Sequence, residues 1–199
     1  MQLVFYYDLV CPYAYLGSTR VAALGERAGV KVEWRPILLG GVFRAIGAPD
    51  VPAAQMPAAK LRLNYLDMKR WAAHFGVPLQ LHPQHPRRSV EAMRLCHTVD
   101  GDHRVRLTHA LYRSYFGDNR DLADRNVLAA VCSEVGLDPE LARTGIDAPE
   151  VKDALHRATD EAVRDGVFGV PAFIVVDGAQ RTLFWGQDRM HLVEKALRG

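Results

Sequence analysis

Strand-like segments occur only at the two ends of this chain, so any sheet it forms must be closed by residues from both. QLVFYYD (2–8) and VKVEWRPIL (30–38) are rich in aromatic and β-branched residues at one end. AFIVV (172–176) and RTLFW (181–185) are equally so at the other, joined by an Asp177-Gly178 hairpin turn. Between the first two, residues 13–28 carry Leu16, Ala23, Leu24 and Ala28 at helical spacing, with Gly29 as a stop. The first forty residues therefore read β-α-β, and the tail reads α-β-β-α with a last helix from about Asp188.

The middle is helical. GGVFRAIGAPDVPAAQMP (40–57) is dense in Gly and Pro and marks a boundary. Beyond it Leu61, Tyr65, Met68, Ala72 and Phe75 recur at four-three-four-three spacing, which predicts a helix that stops at Gly76. Ala92, Cys96 and Val99 follow, then Leu107 and Leu111, then Val127, Val131 and Val135 before Gly136. Asp147, ahead of Pro149 and the phased Val151, Leu155, Ala158 and Ala162, is expected to open one more helix, ending at Gly166.

Composition sets outer limits. With 199 residues, 49% hydrophobic and 24% charged, the chain can bury one core and carry a sizeable insertion. A net charge of +2, with basic and acidic residues interspersed, gives no nucleic-acid stripe and no polybasic membrane patch. MQLVFYYD lacks the charge and cleavage pattern of a signal peptide, and no apolar run could span a bilayer, so the expectation is a cytoplasmic protein. Three cysteines are too few and too dispersed for a disulfide framework or a zinc cage. Cys96 and Cys132 fall in apolar helical phase and are expected to be core filler. Cys11 alone lies beside turn chemistry.

Cys11-Pro12 sits where the first strand turns into the first helix. There it faces unpaired backbone N–H groups and the positive end of the helix dipole, which favour thiolate and predict a lowered pKa. Val170-Pro171, in GVFGVPAFIV, lies just before the third strand, where an X-Pro bond can be cis. In this topology the two loops meet, forming the walls of a thioredoxin-type thiol site, and the Val170 backbone could pair with an extended peptide. The fold expected is therefore α/β and thioredoxin-like with a large all-helical insertion. Residues 1–40 and 147–199 supply the thioredoxin-like parts and 41–146 the insertion.

FYYDLVCPYAYLG, RPILLGGVF, DMKRWAAHFGVP, GVFGVPAF and LFWGQDRM together, in order and nearly end to end, resemble the 2-hydroxychromene-2-carboxylate isomerases. These stand with the kappa-class glutathione transferases in the wider DsbA-like thioredoxin superfamily. The resemblance implies bound glutathione, a small aromatic carboxylate substrate and a homodimer. It places Cys11 where the family has a serine whose hydroxyl hydrogen-bonds the glutathione sulfur. Val170, before Pro171, would pair with the cysteinyl part; Asp188, with Gln187 and Arg189 beside it, would hold the γ-glutamyl end. Lys60 would reach a carboxylate, and Tyr13 and Trp71 would line the aromatic pocket. Two positions depart from the pattern: Cys11 replaces serine, and Ala48 stands where relatives carry asparagine.

The function expected is a glutathione-dependent cis–trans isomerase. The alternative is a monothiol thiol–disulfide oxidoreductase, or a glutathione transferase, with Cys11 as nucleophile. Cys-Pro-Tyr-Ala cannot close an internal disulfide, so exchange would need a second thiol. A non-catalytic scaffold of the same fold ranks third, because the thiol-site positions read as intact. The pair His82 and His85 lacks an acidic or cysteine partner for a metal, and His74, His97 and His109 read as structural or exposed. Arg87 and Arg88 read as a solvated loop.

Overall fold

The computed structural model describes residues 1–199. Four strands, β1 (Gln2–Tyr7), β2 (Val32–Pro36), β3 (Ala172–Asp177) and β4 (Gln180–Trp185), form one sheet in the order β2-β1-β3-β4. β1 pairs in parallel with β2 and antiparallel with β3, and β3 pairs antiparallel with β4. The central β1 is buried on both faces from Leu3 to Tyr7, which is why it reads as a continuous apolar run.

α1 (Pro12–Ala28) links β1 to β2 and stops at Gly29, whose φ of 68° lets its N–H turn back to Glu26 O. The intervening helices are α2 (Leu39–Ala45), α3 (Ala58–Phe75), α4 (Val90–His97), α5 (Gly101–Phe116), α6 (Arg125–Glu134) and α7 (Glu140–Arg143). α8 (Pro149–Arg164) leads back to the sheet and α9 (Met190–Arg198) closes the chain. α1 and α9 pack on each other, while α8 packs against β2, α2 and α4.

One apolar cluster runs from the sheet into the helices. Its spine is aromatic: Phe5 contacts Tyr7, Trp34 and Phe173, and Tyr7 then meets Tyr112. Tyr112 continues through Tyr15 to Phe116. Rings of this size each bury a large apolar area, and their edge and offset contacts fix the helical segment to the strand that delivers Cys11. Cys96 and Cys132 are buried thiols within this core.

The structure corrects several expectations. The start of the Gly/Pro-rich 40–57 segment carries α2, with Val42 buried. Asp147 does not cap α8. Ala148 occupies that position, and the Asp147 carboxylate pairs with Arg125 at 2.6 Å. The α3 stripe is only half buried. Met68 and Ala72 are covered, whereas Leu61 and Tyr65 are 48% and 42% exposed and line an open groove with Leu81. The His82 and His85 rings bracket Tyr115, and His85 Nδ1 lies 3.0 Å from its hydroxyl. Arg87 pairs with Asp121 and Arg88 with Glu91.

Candidate active site

β1 ends at Tyr7, and the chain turns through Asp8, Leu9 and Val10 so that Cys11 becomes the N-cap of α1, with Pro12 at the first helical position. The Cys11 N–H donates to Asp8 O at 3.1 Å and its carbonyl accepts from Tyr15 N–H at 3.0 Å. On the other side Phe168–Pro171 leads into β3, and the Val170–Pro171 bond is cis. Pro171 packs over Gly17 of α1, where a Cβ would sit 3.4 Å from the proline ring, in ordinary contact. The Cys11 thiol donates to the Val170 carbonyl at 3.1 Å. The Val170 N–H, on a residue only 5% exposed, donates to nothing within the chain.

The lowered pKa expected of Cys11 is not what the structure gives. Burial pushes the thiol up to about 12, and the neighbouring Asp8 carboxylate adds to the rise. The N–H groups of Ala14 and Tyr13 do favour thiolate, as a helix start should. A helix terminus contributes roughly one pKa unit at most, whereas burial can move a group by ~3–5 units, so burial wins. At neutral pH Cys11 is therefore a thiol that donates a hydrogen bond, in the manner of a serine hydroxyl.

Tyr13 stands beside it. Its hydroxyl donates to Asn64 O of α3 at 3.4 Å. Burial, then the Asp67, Cys11 and Asp188 charges, push its phenol up to about 12. Positions 60, 64, 67 and 71 recur at four-three-four spacing and line one face of α3, so Lys60 and Trp71 share the face that meets Tyr13. Lys60 is exposed in the first turn; the Trp71 ring lies against His74 and Phe75. Asn64 and Asp67 escaped the sequence reading, although their spacing with Lys60 and Trp71 was visible in it.

Gln187, Asp188 and Arg189 form a single 3-10 turn after β4. Gly186 enters it at φ 99°, and the Pro171 carbonyl accepts the Gly186 N–H at 3.0 Å, which ties this turn to the cis-proline loop. Arg189 bonds the Trp185 carbonyl at 2.9 Å and the Asp188 carboxylate at 3.2 Å. Gln187 is buried while Asp188 and Arg189 are exposed. Cys11, Tyr13, Val170 and Pro171 thus form one cluster, with the 187–189 turn behind the proline and the Lys60–Trp71 face of α3 across Tyr13. Ala48 lies in the exposed loop after α2, its N–H held by Phe43 O at 2.8 Å.

A thiol capping the first helix, set against a cis-proline that enters an antiparallel central strand, defines a thioredoxin-class fold. The chain belongs to the DsbA-like thioredoxin domain family, whose model matches residues 2–198. It is 28% identical over 193 residues to 2-hydroxychromene-2-carboxylate isomerase of Sphingobium xenophagum, covering 97% of this chain and 96% of that protein. It is 28% identical over 204 residues to human glutathione S-transferase kappa 1, covering 96% of this chain and 88% of that protein. The solved structure of a 2-hydroxychromene-2-carboxylate isomerase superposes with a TM-score of 0.82 at 24% identity, covering 99% of this chain and 94% of that one. The cytosolic disulfide reductase DsbM of Pseudomonas aeruginosa, solved with GSH, superposes at 0.68 with 19% identity and full coverage of both chains. No helix is long and apolar enough to cross a membrane.

Proposed function

We propose that this protein is a glutathione-dependent cis–trans isomerase of the 2-hydroxychromene-2-carboxylate isomerase type, acting on an aryl-pyruvate-like carboxylate. The observation that carries the reading is the Cys11–Val170 pair: a protonated thiol donor facing a strand-like backbone edge whose N–H has no partner. A buried, unpaired N–H is costly, and an extended thiol peptide laid along Val170 would satisfy it. The residues present therefore fit glutathione.

In this reading Val170 N–H and C=O pair with the cysteinyl backbone of the cofactor, and the Cys11 S–H, released from the carbonyl, donates to its sulfur. Asp188 accepts from the γ-glutamyl ammonium, with Gln187 and Arg189 completing that turn. Bound glutathione supplies a thiolate that adds reversibly to a conjugated double bond, allowing it to rotate. Lys60 pairs with the substrate carboxylate, while Tyr13 and Trp71 wall its ring. Oxidoreductase chemistry asks for a Cys11 thiolate, which burial opposes. We place the reaction in the cytoplasm, consistent with three free thiols, and the protein in a homodimer, consistent with the exposed apolar residues of α3.

The test is loss of 2-hydroxychromene-2-carboxylate absorbance with and without glutathione, for wild type and Cys11→Ser. Glutathione-dependent turnover by both forms supports the reading. If neither turns over while wild type exchanges glutathione between disulfides, the oxidoreductase replaces it.

A further inference from the structure

Asp8 is the only Asp, Glu, Lys or Arg that is fully buried, at 1% exposure, and none of the roles above uses it. Its carboxylate accepts the Val10 N–H at 3.2 Å, the Leu39 N–H of α2 at 2.9 Å and the Ser89 hydroxyl before α4 at 3.3 Å. Its carbonyl accepts the Cys11 N–H at 3.1 Å and the Tyr112 hydroxyl of α5 at 3.1 Å. All these partners are neutral. The titratable groups that feel its charge are themselves acids: Cys11 at the start of α1, Cys96 on α4, and Tyr112 and Tyr115 on α5.

A buried carboxylate with no cation is expensive, and neutral donors offset only part of the cost. An apolar residue could fill the volume. What it could not do is bind α2 and the start of α4 to the turn that carries Cys11 while placing negative charge three residues from the sulfur. Burial raises the Asp8 carboxyl above its usual range, while the Leu39, Val10 and Ser89 donors pull it back. The anion in turn disfavours a second negative charge on Cys11.

We propose that Asp8 is the positioning residue of the thiol site, fixing the Cys11 turn against Val170 and holding the Cys11 sulfur in its protonated, hydrogen-bond-donating form. This deepens the reading of Cys11 as a donor rather than a nucleophile, and rests on it. Asp8→Asn keeps the shape and one acceptor oxygen but removes the charge. The Cys11 titration is read from thiolate absorbance, with Cys11→Ser subtracting the other two thiols.

In Asp8→Asn the midpoint should fall by about one pH unit or more, and iodoacetamide should alkylate Cys11 roughly tenfold faster at a fixed pH near 8. A folded Asp8→Asn with an unchanged Cys11 titration overturns the proposal, whatever happens to stability. Should that variant not fold, wild type still decides. In a carboxyl and amide NMR titration, the Cys11 and Val170 amide shifts should follow the Asp8 midpoint, and their failure to move overturns it. Glutathione affinity of wild type, measured by calorimetry, separates the two readings. No binding, with the thiol shift present, removes the glutathione role and leaves the Asp8 role standing.

Discussion

The Cys11 sulfur and the Val170 carbonyl meet at 3.1 Å although 159 residues separate them in the chain. That contact makes Cys11 a donor, and the donor is what a serine would also supply. Cys11→Ser should therefore bind glutathione within about threefold of wild type. Cys11→Ala, which has no donor, should bind ~10-fold more weakly, the worth of a hydrogen bond to a charged sulfur. Isothermal titration of the three proteins decides this, and equal loss in Ser and Ala would point to a nucleophilic cysteine instead.

Much of this geometry was legible beforehand. The strand and helix phases at both chain ends placed Cys11 and Val170-Pro171 on facing loops, since β1 and β3 had to pair for either strand to be buried. Two things were not. Burial reverses the pKa direction that the helix start alone suggests, and depth is invisible in a four-residue motif. Asp8 read as the polar end of a strand, because nothing local announces a carboxylate whose donors are Leu39 N–H and Ser89. The α3 periodicity placed a helix ending at Gly76, but apolar spacing names a face, not what covers it, and half of that stripe is exposed.

Two glycines of α1 should respond oppositely to alanine. A Cβ at Gly17 would meet Pro171 and Phe173 at 3.4–3.6 Å, ordinary contact, and Ala is the better helix former. At Gly25 the Cβ would lie 2.6 Å from Val32 Cγ2 and 2.8 Å from the Val30 carbonyl, so backbone must shift. Urea unfolding should show Gly17→Ala neutral or stabilised by up to about 1 kcal/mol, and Gly25→Ala destabilised by roughly 1–3 kcal/mol.

Acid should loosen the fold in a defined window. Burial lowers His97 to about 4, although its Nε2 sits 3.0 Å from Pro36 O. Burial likewise lowers His85 to about 4, helped by the His82 charge. Both are neutral when folded and take up protons near 6.5 when unfolded, so the unfolded state binds more protons between those values. Their stabilising contribution is complete above pH ~6.5 and is lost as pH falls towards about 4. Urea midpoints measured across that window should decline, and His97→Gln should decline less steeply.

The uncovered face of α3 gives the last test. Leu61 and Tyr65, 48% and 42% exposed, share one side of the helix, and a shallow groove of about 500 Å³ runs beside them, lined by Ala58, Leu61, Arg62, Tyr65, Met68 and Leu81. Scattered exposed leucines are ordinary on a protein surface, but large apolar side chains lining one open groove are what the proposed homodimer would cover. If a second copy covers them, burying one leucine contributes about 2 kcal/mol per site, and a two-fold axis counts it twice. A charge placed there opposes both copies at once. Leu61→Glu should sediment as a monomer at micromolar concentrations where wild type sediments as a dimer, while its far-ultraviolet circular dichroism stays unchanged because Leu61 lies outside the core cluster. A wild type that is monomeric throughout would exclude the homodimer, and a variant that remains dimeric would move the interface off α3.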